Sequence, residues 1–488
     1  MRETILTRGT LAVLLTGLVA CSGSATGAQA AATAAGAPIE TRPRNATRYE
    51  PAFPGQTRAP GIRDSVKVQV QEVATGLNMP WAFELLPDGR FLVTERPGAL
   101  RIVGTDGKLS APISGLPQFF TGGQGGLLDV ALDPAFATNR TIYFSYAEPR
   151  QGGNGTALAR AVLNESGGNA SLSNVTVIFR QMPTFDSPLH FGSRIAFGKD
   201  GKLFLTLGER SMPASRVQAQ DLNSHFGKIV RLNTDGTVPS DNPFVGRADA
   251  KPEIWSYGHR NVQAATIDSA TGKLWEVEHG PRGGDELNHP ERGKNYGWPV
   301  ITYGIDYPGP PIGEGIQQKE GMEQPVYYWD PVIAPSGMIV YRGALFPQWE
   351  GSIFIGGLSG KLVRLQMQDD KVAGEQWLLT DVGRVRDVQQ PMPPSRFVSR
   401  TDILQHHERM AEEVFDKVDA TLRREEATAT KTAVVGLPSE VIVRQAKKVD
   451  ASEIIMGTRG LSRVSGFLLG SVAMKVVQLA SVPVTLVK

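Results

Sequence analysis

Between residues 64 and 390 hydrophobic and polar positions alternate in short runs, and the runs come in pairs. An apolar, β-branched or aromatic stretch, a turn carrying Asp, Gly or Asn, and a second such stretch recur as WAFELLPDGRFLVTE (81–95), LLDVALDPAFATNRTIYFSY (127–146), SRIAFGKDGKLFLTLGE (193–209), VQAATIDSATGKLWEVE (262–278) and MIVYRGALFPQWEGSIFIG (338–356). Each copy predicts two antiparallel strands joined by a turn. Return of such a unit every 40 to 80 residues or so predicts a β-propeller, a mostly β fold in which small sheets radiate from one axis. The phase of the repeat carries the functional argument. Gln124, His190, Arg260, Asn261, Pro335 and Ser336 all stand just before the first strand of a copy, and Arg384 and Arg386 stand where a sixth copy would begin. Equivalent positions of successive blades face one end of the axis, so these residues are expected to meet in one pocket.

Beyond Gln390 the pattern changes. Residues 401–426 have helical spacing, with Ile403, Leu404, Met410, Val414, Phe415, Val418 and Leu422 on one face and Thr401 as a cap. A strand at 432–435, a helix at 439–449, a strand at 452–456, a helix from Ser471 to Ala480 and a strand at 483–488 are predicted after it. Strand and helix alternate, so 391–488 reads as a separate α/β domain.

Composition sharpens this picture in a few places. The 488 residues exceed an ordinary single domain, in keeping with one large repeat fold plus a second unit. Fifty-one basic and 49 acidic residues nearly balance, which alone neither favours nor excludes nucleic acid; they are not clustered, and no nucleic-acid partner is expected. Residues 1–21 carry Arg2 and Arg8, an apolar run from Leu11 to Val19, and Leu-Val-Ala-Cys ending at Cys21. The run predicts a secretory signal, too short to be a spanning helix, and its end resembles a bacterial lipobox, which makes Cys21 the expected lipid attachment point of a periplasmic or cell-envelope protein. Cys21 is the sole cysteine, so disulfides within the chain and thiolate metal sites are excluded. Residues 22–63 read as a disordered tether rich in Ala, Pro and Thr.

Candidate chemistry concentrates between Tyr257 and Pro299, in YGHRN (257–261), EHGPRGGDELN (278–288) and GKNYGWP (293–299). Glycines, a proline and carboxylates packed together describe either a Gly-rich surface turn or a backbone held beside hard oxygen ligands, the setting that suits Ca²⁺. An Arg-Asn pair suits a planar, multiply charged ligand.

In this order and spacing the three motifs resemble the soluble aldose sugar dehydrogenases that use pyrroloquinoline quinone (PQQ), the glucose/sorbosone dehydrogenase family. The resemblance runs from about Val68 to Val388 and implies six blades, with Gln124, Arg260, Asn261, Arg342, Arg384 and Arg386 contacting PQQ, the match at Arg342 being looser. It implies His190 as general base, Glu209 as the acid that orients it, and Arg260 as stabiliser of developing charge. It further implies that the carbonyls of Gly280 and Pro281 hold Ca²⁺ against the quinone, and that Glu286 and the Tyr296 carbonyl form a second, structural Ca²⁺ site; Asp285 either assists or caps the loop. His259 and His279 read as structural, and His225, His289, His406 and His407 as surface residues. The implied reaction oxidises the C1 hydroxyl of an aldose to a lactone and passes electrons to an acceptor the sequence does not identify.

GTRGLSRVSGFLLGSVAMKVVQLASVPVTLVK, at the C-terminus, resembles the C-terminal half of universal stress proteins. Gly457, Gly460, Gly470 and Ser471 match that family's phosphate-binding loop, although the strand that holds adenosine there has no counterpart here. The terminal strand is expected to pair with a second copy of the chain. After Val388 the first family's pattern stops as well, so the last blade is expected to be incomplete. A non-catalytic sugar- or protein-binding propeller with a dimerising tail is the alternative reading.

Overall fold

A computed structural model describes residues 36–390 except 65, 67, 69, 344 and 381, then 416, 419, 423, 424, 430, 431, 438–457 and 471–487, together with 12 and 13. The chain forms two compact units, Ala30–Phe397 and Val398–Lys488 with Met1–Gln29.

The larger unit is a β-propeller of five antiparallel sheets. The first has three strands, Pro80–Leu85, Phe91–Glu95 and Ala99–Val103. The other four have four strands each and begin with Leu127–Leu132, Ile195–Phe197, Val262–Ile267 and Pro335–Val340. Every sheet runs in sequence order from its first strand outward, so each predicted pair forms the first two strands of one sheet. First strands of successive sheets pack side by side around the axis.

The alternation that predicts the strands also builds the core, because each strand turns one set of side chains to each neighbouring sheet. Leu92, Leu100 and Ile102 of the first sheet meet Val130, Ile142 and Phe144 of the second. Tyr143 and Leu158 meet Leu203 and Val230 of the third. Phe204 and Ile229 meet Ala265 and Leu274 of the fourth, and Trp275, Val277 and Tyr327 meet Met338, Ile355 and Val363 of the fifth.

Five sheets, rather than the six expected, form among the described residues. The segment Arg384–Gln390, where a sixth copy is expected to begin, forms no strand. Gly337 N donates to the Arg386 carbonyl at 3.1 Å and Val385 N to that of Gly357 at 3.3 Å, while Phe83 N donates to Asp387 at 3.1 Å, so the run touches both the fifth and the first sheets. A groove of about 430 Å³ lined by Trp81, Phe83, Phe91, Val93 and Val103 stays open on the first sheet beside it.

The segment 36–63, expected to be a disordered tether, is ordered instead. Its low hydrophobicity is offset by polar anchoring. Asn45 and Ala46 donate to the Asp330 carboxylate at 2.8–2.9 Å, Arg58 to the carbonyls of Glu40 and Asp330, and Gln56, fully buried, to that of Pro325. Residues 60–62 then run along the outer edge of the fifth sheet, exchanging bonds with Glu375 at 2.9 Å. An exposed sheet edge is thereby covered.

The smaller unit has helices Pro438–Lys448 and Ser471–Leu479 and parallel strands Ile454–Gly457 and Val484–Val487, close to the predicted α/β alternation. Ile442, Ile454 and Val476 form its core. The predicted strand at 432–435, Cys21, Gly460, Gly470, His406 and His407 lie outside the described residues, as does most of 401–426. Gly457 closes a strand and Ser471 opens a helix. Among the described residues no helix is long and apolar enough to cross a membrane.

Candidate active site

Each first strand is entered through a loop, and the loops at these leading ends are stitched together by hydrogen bonds that cross from sheet to sheet. His190 N donates to Gln124 Oε1 at 2.8 Å. Gly192 N and Gln263 Nε2 both donate to Asn261 Oδ1, at 3.1 and 3.3 Å. Arg386 Nη1 donates to Gln263 Oε1 at 3.2 Å, and Arg260 Nη1 to the carbonyls of His279 and Gly280 at 2.8 and 2.7 Å. Gln124, His190, Arg260, Asn261, Gly280 and Arg386, spread over more than half of the chain, thus occupy one neighbourhood. Arg384 shares the flanking groove with Trp81 and Arg386.

His190 sits at φ 49°, in the left-handed region, just before the third sheet. Its Nδ1 lies 3.0 Å from Glu209 Oε1, and the other carboxylate oxygen accepts from Ser211 N. An ionised Glu209 only accepts, so Nδ1 carries the proton and Nε2 is left with its lone pair free. Burial and the Arg260 charge hold the imidazole below its ordinary value, against the pull of Glu209. Burial raises Glu209, but the bond to His190 and the charges around it leave that carboxyl lowered. The pair is therefore a neutral base on an ionised anchor at neutral pH.

Facing this base are polar atoms with nothing to bind. Arg260 Nε and Asn261 Nδ2 are buried donors without an acceptor. Buried polar groups are nearly always paired, so these two fit an acceptor-rich anionic ligand. Arg386 agrees: burial and the neighbouring cations Arg194, Arg384 and Arg96 push its guanidinium down to about 9, although Asp387 opposes this. Arg386 lies 4.2 Å over the Trp81 ring and Arg260 5.2 Å over Trp298.

The glycines of 280–284 earn their place sterically, since a Cβ on Gly280 would meet the Gly284 carbonyl at 2.1 Å. Asp285 fixes this loop by accepting from Gly280 N at 2.8 Å and from Ile333 and Ala334 N at 2.9 and 2.7 Å. These bonds tie the loop to the fifth sheet. His279, pushed down to about 3 by burial, is neutral and lies 2.7 Å from the Pro335 carbonyl, which agrees with the structural reading.

A second polar cluster lies on one face of the fourth sheet. Glu276 pairs with Asn288 and Glu278 with Glu286 across adjacent strands, so three carboxylates crowd together. His259 Nδ1 lies 3.6 and 3.5 Å from Glu276 and Glu278, and its ring stacks on Tyr296 at 4.8 Å. Burial pushes Glu276 up to about 7, and burial together with Glu278 pushes Glu286 well above the carboxylate range. Glu276 Oε2, Asn288 Oδ1 and His259 Nδ1 are buried without partners. Unpaired hard oxygens at this density fit Ca²⁺. Beside Glu286 and Tyr296, the set includes Glu276, Glu278 and Asn288, which sequence reasoning missed. Their legible signal is the two-residue spacing in Glu276-Val277-Glu278 and Glu286-Leu287-Asn288, which places both pairs on one face.

Two expectations need correcting. Arg342 does not join the pocket. It follows the fifth first-strand and lies at the trailing end, donating from Nε and Nη2 to Asp268 at 2.8 and 2.7 Å and from Nη1 to Glu350 at 3.2 Å. Its fork is fully engaged there, beside an axial cavity of about 390 Å³ that it shares with Glu84, Asp129, Arg194 and Asp387. His225 is buried rather than superficial, because Nδ1 accepts from Met182 N at 2.9 Å and Nε2 lies 2.7 Å from Glu253.

Residues 77–401 match the Glucose / Sorbosone dehydrogenase family model, and residues 382–488 match the Universal stress protein family. The chain belongs to the glucose/sorbosone dehydrogenase family. It is 45% identical over 329 residues to an aldose sugar dehydrogenase of Escherichia coli K12, spanning 66% of this chain and 86% of that one. A crystal structure of glucose dehydrogenase superposes with a TM-score of 0.64 at 47% identity, covering 66% of this chain and 94% of the other. The PQQ-bound form of an aldose sugar dehydrogenase from Streptomyces coelicolor does so at 0.55 and 30% identity, covering 68% and 94%.

Proposed function

We propose that the chain is a PQQ-dependent oxidoreductase that converts the C1 hydroxyl of aldose sugars to a lactone. The observation that carries this reading is the pairing of a neutral, anchored imidazole with two buried donors that lack acceptors, all at one mouth of the propeller. Gln124, Arg260, Asn261, Arg384 and Arg386 would hold PQQ, with the Gly280 and Pro281 carbonyls toward its Ca²⁺. PQQ supplies, when bound, an electron-poor quinone that accepts hydride equivalents.

His190 takes the hydroxyl proton at Nε2, a transfer worth about a hundred- to ten-thousandfold in rate. Glu209 keeps the ring in the required tautomer and steadies the imidazolium that forms. The Arg260 guanidinium stabilises negative charge on the substrate oxygen. Glu286, Tyr296, Glu276, Glu278 and Asn288 would hold a second Ca²⁺ that fixes the fourth sheet.

Purified protein mixed with PQQ, Ca²⁺, a panel of aldoses and a dye acceptor tests the reading: turnover is expected only with both additions. Quinone absorbance that does not change on titration would leave a binding propeller instead. Attachment through Cys21 in the cell envelope is tested by labelling with an alkyne fatty acid, which Cys21→Ala should abolish. Pairing through Val484–Val487 is tested by the mass of the full chain in solution, expected to be that of a dimer.

A further inference from the structure

Among the described residues Arg210 has the largest fully buried side chain, and no role is assigned to it. Its Nη1 donates to the His190 carbonyl at 3.2 Å, and Nη2 donates to the Ser187 carbonyl and to Asn154 Oδ1. The guanidinium also lies 3.7 Å over the ring of Phe191. In return Ser187 Oγ donates to the Arg210 carbonyl at 2.7 Å. One side chain therefore grips the main chain at 187 and 190 and the ring at 191. Its sequence neighbour Glu209 grips the imidazole of the same His190.

The cost of this arrangement points to a purpose. Among the described residues no carboxylate hydrogen-bonds to Arg210, since Glu209 is spent on His190 and Ser211, and a buried guanidinium without a hydrogen-bonded acid is expensive. His190, Arg210 and Ser211 also hold φ of 49°, 70° and 66°, a cluster of non-glycine left-handed residues of the kind that persists where surrounding structure over-determines it.

We propose that Arg210 is a positioning residue that holds the backbone of His190 in its left-handed turn and so aims Nε2 at the substrate. This rests on the reading of His190 as the base. The charged and titratable groups around the imidazole are Glu209, Arg210, Arg260 and His279, and Arg150 faces Arg210. Removing the Arg210 cation leaves Glu209 less opposed, so the imidazole should hold its proton to higher pH.

The test uses the full chain with ¹³C-labelled histidine, titrated by NMR without cofactor, and kcat and KM after reconstitution. Arg210→Met should lower kcat about tenfold to a hundredfold, the scale of a misplaced reacting group, with KM little changed and His190 titrating at higher pH. Arg210→Lys keeps the charge but not the planar fork, so the His190 titration should stay put while kcat still falls. Parent kcat and an unmoved His190 titration in a folded Arg210→Met protein overturn the proposal. If that variant does not fold, parent kcat in Arg210→Lys does so. Parent turnover in His190→Ala would instead overturn the proposed base, and a shifted His190 resonance in Arg210→Met would then still report the clamp.

Discussion

The two ends of the propeller's first strands differ in how their charges are matched. At the leading ends, Arg260 Nε and Asn261 Nδ2 have no acceptor, and Arg386 sits among other cations. At the trailing ends the charges are largely paired. Arg342 forks onto Asp268, with Nη2 at 2.7 Å, and its remaining nitrogen reaches Glu350 at 3.2 Å. Deeper in the same cavity burial pushes Asp129 up to about 7, and burial with Asp129 and Asp387 holds Glu84 well above the carboxylate range, so Glu84 is protonated there. The same architecture thus builds one end whose outer arginine is matched by carboxylates and one whose arginine and amide keep unpaired donors.

The sharpest way to break this comparison is at the base. His190→Ala should lose about two to four orders of magnitude in kcat while quinone absorbance titration still shows binding; in the parent, kcat/KM should fall on the acid side only below the ordinary imidazole range, because burial and Arg260 keep His190 deprotonated. Next in size is Arg260→Met, expected to weaken PQQ by about ten- to a hundredfold, the worth of a buried charge-assisted bond, read from the same titration. Calcium comes third. At about a hundredfold its Kd it should stabilise the protein by about 2.7 kcal/mol, seen as a rise in Tm, and Glu286→Gln should abolish the rise.

The smallest effect belongs to the paired mouth. Arg342→Met should leave quinone binding untouched and cost about 1 kcal/mol, since part of the pair is screened by solvent. Arg342 and other hydrogen bonds, outweighing burial, hold the Asp268 carboxyl down at about 2, below its unfolded value near 3.9. The contribution is therefore complete above about pH 4 and lost as pH falls through about 2, so melting curves of parent and variant should converge over that interval. Loss of quinone binding in Arg342→Met would erase the distinction between the two mouths.

Most of this was legible from alternation and phase. Five strand pairs and the position of Gln124, His190, Arg260 and Asn261 ahead of a strand follow from local pattern, because sheets here run in sequence order. What pattern hides is the distant partner. Arg342 looks like any arginine near a strand until Asp268, 74 positions away on the neighbouring sheet, is seen to hold it. His225 reads as a surface residue until Glu253 and Met182 close over it. The segment 36–63 has the composition of a tether, and partners far along the chain, Asp330, Pro325 and Glu375 among them, give it order. Glu276, Glu278, Glu286 and Asn288 become a cluster only when two strands are laid in register.

That N-terminal belt has a kinetic consequence. Asp64 bonds Arg364 across 300 residues, and Asn45 bonds Asp330 across 285, so the fifth sheet cannot gain its outer edge until nearly the whole propeller has been synthesised. Such high contact order delays the last step of folding. A nascent chain would carry the N-terminal belt without its partners until the fifth sheet has been made, a window in which a chaperone or a protease has its best access to it.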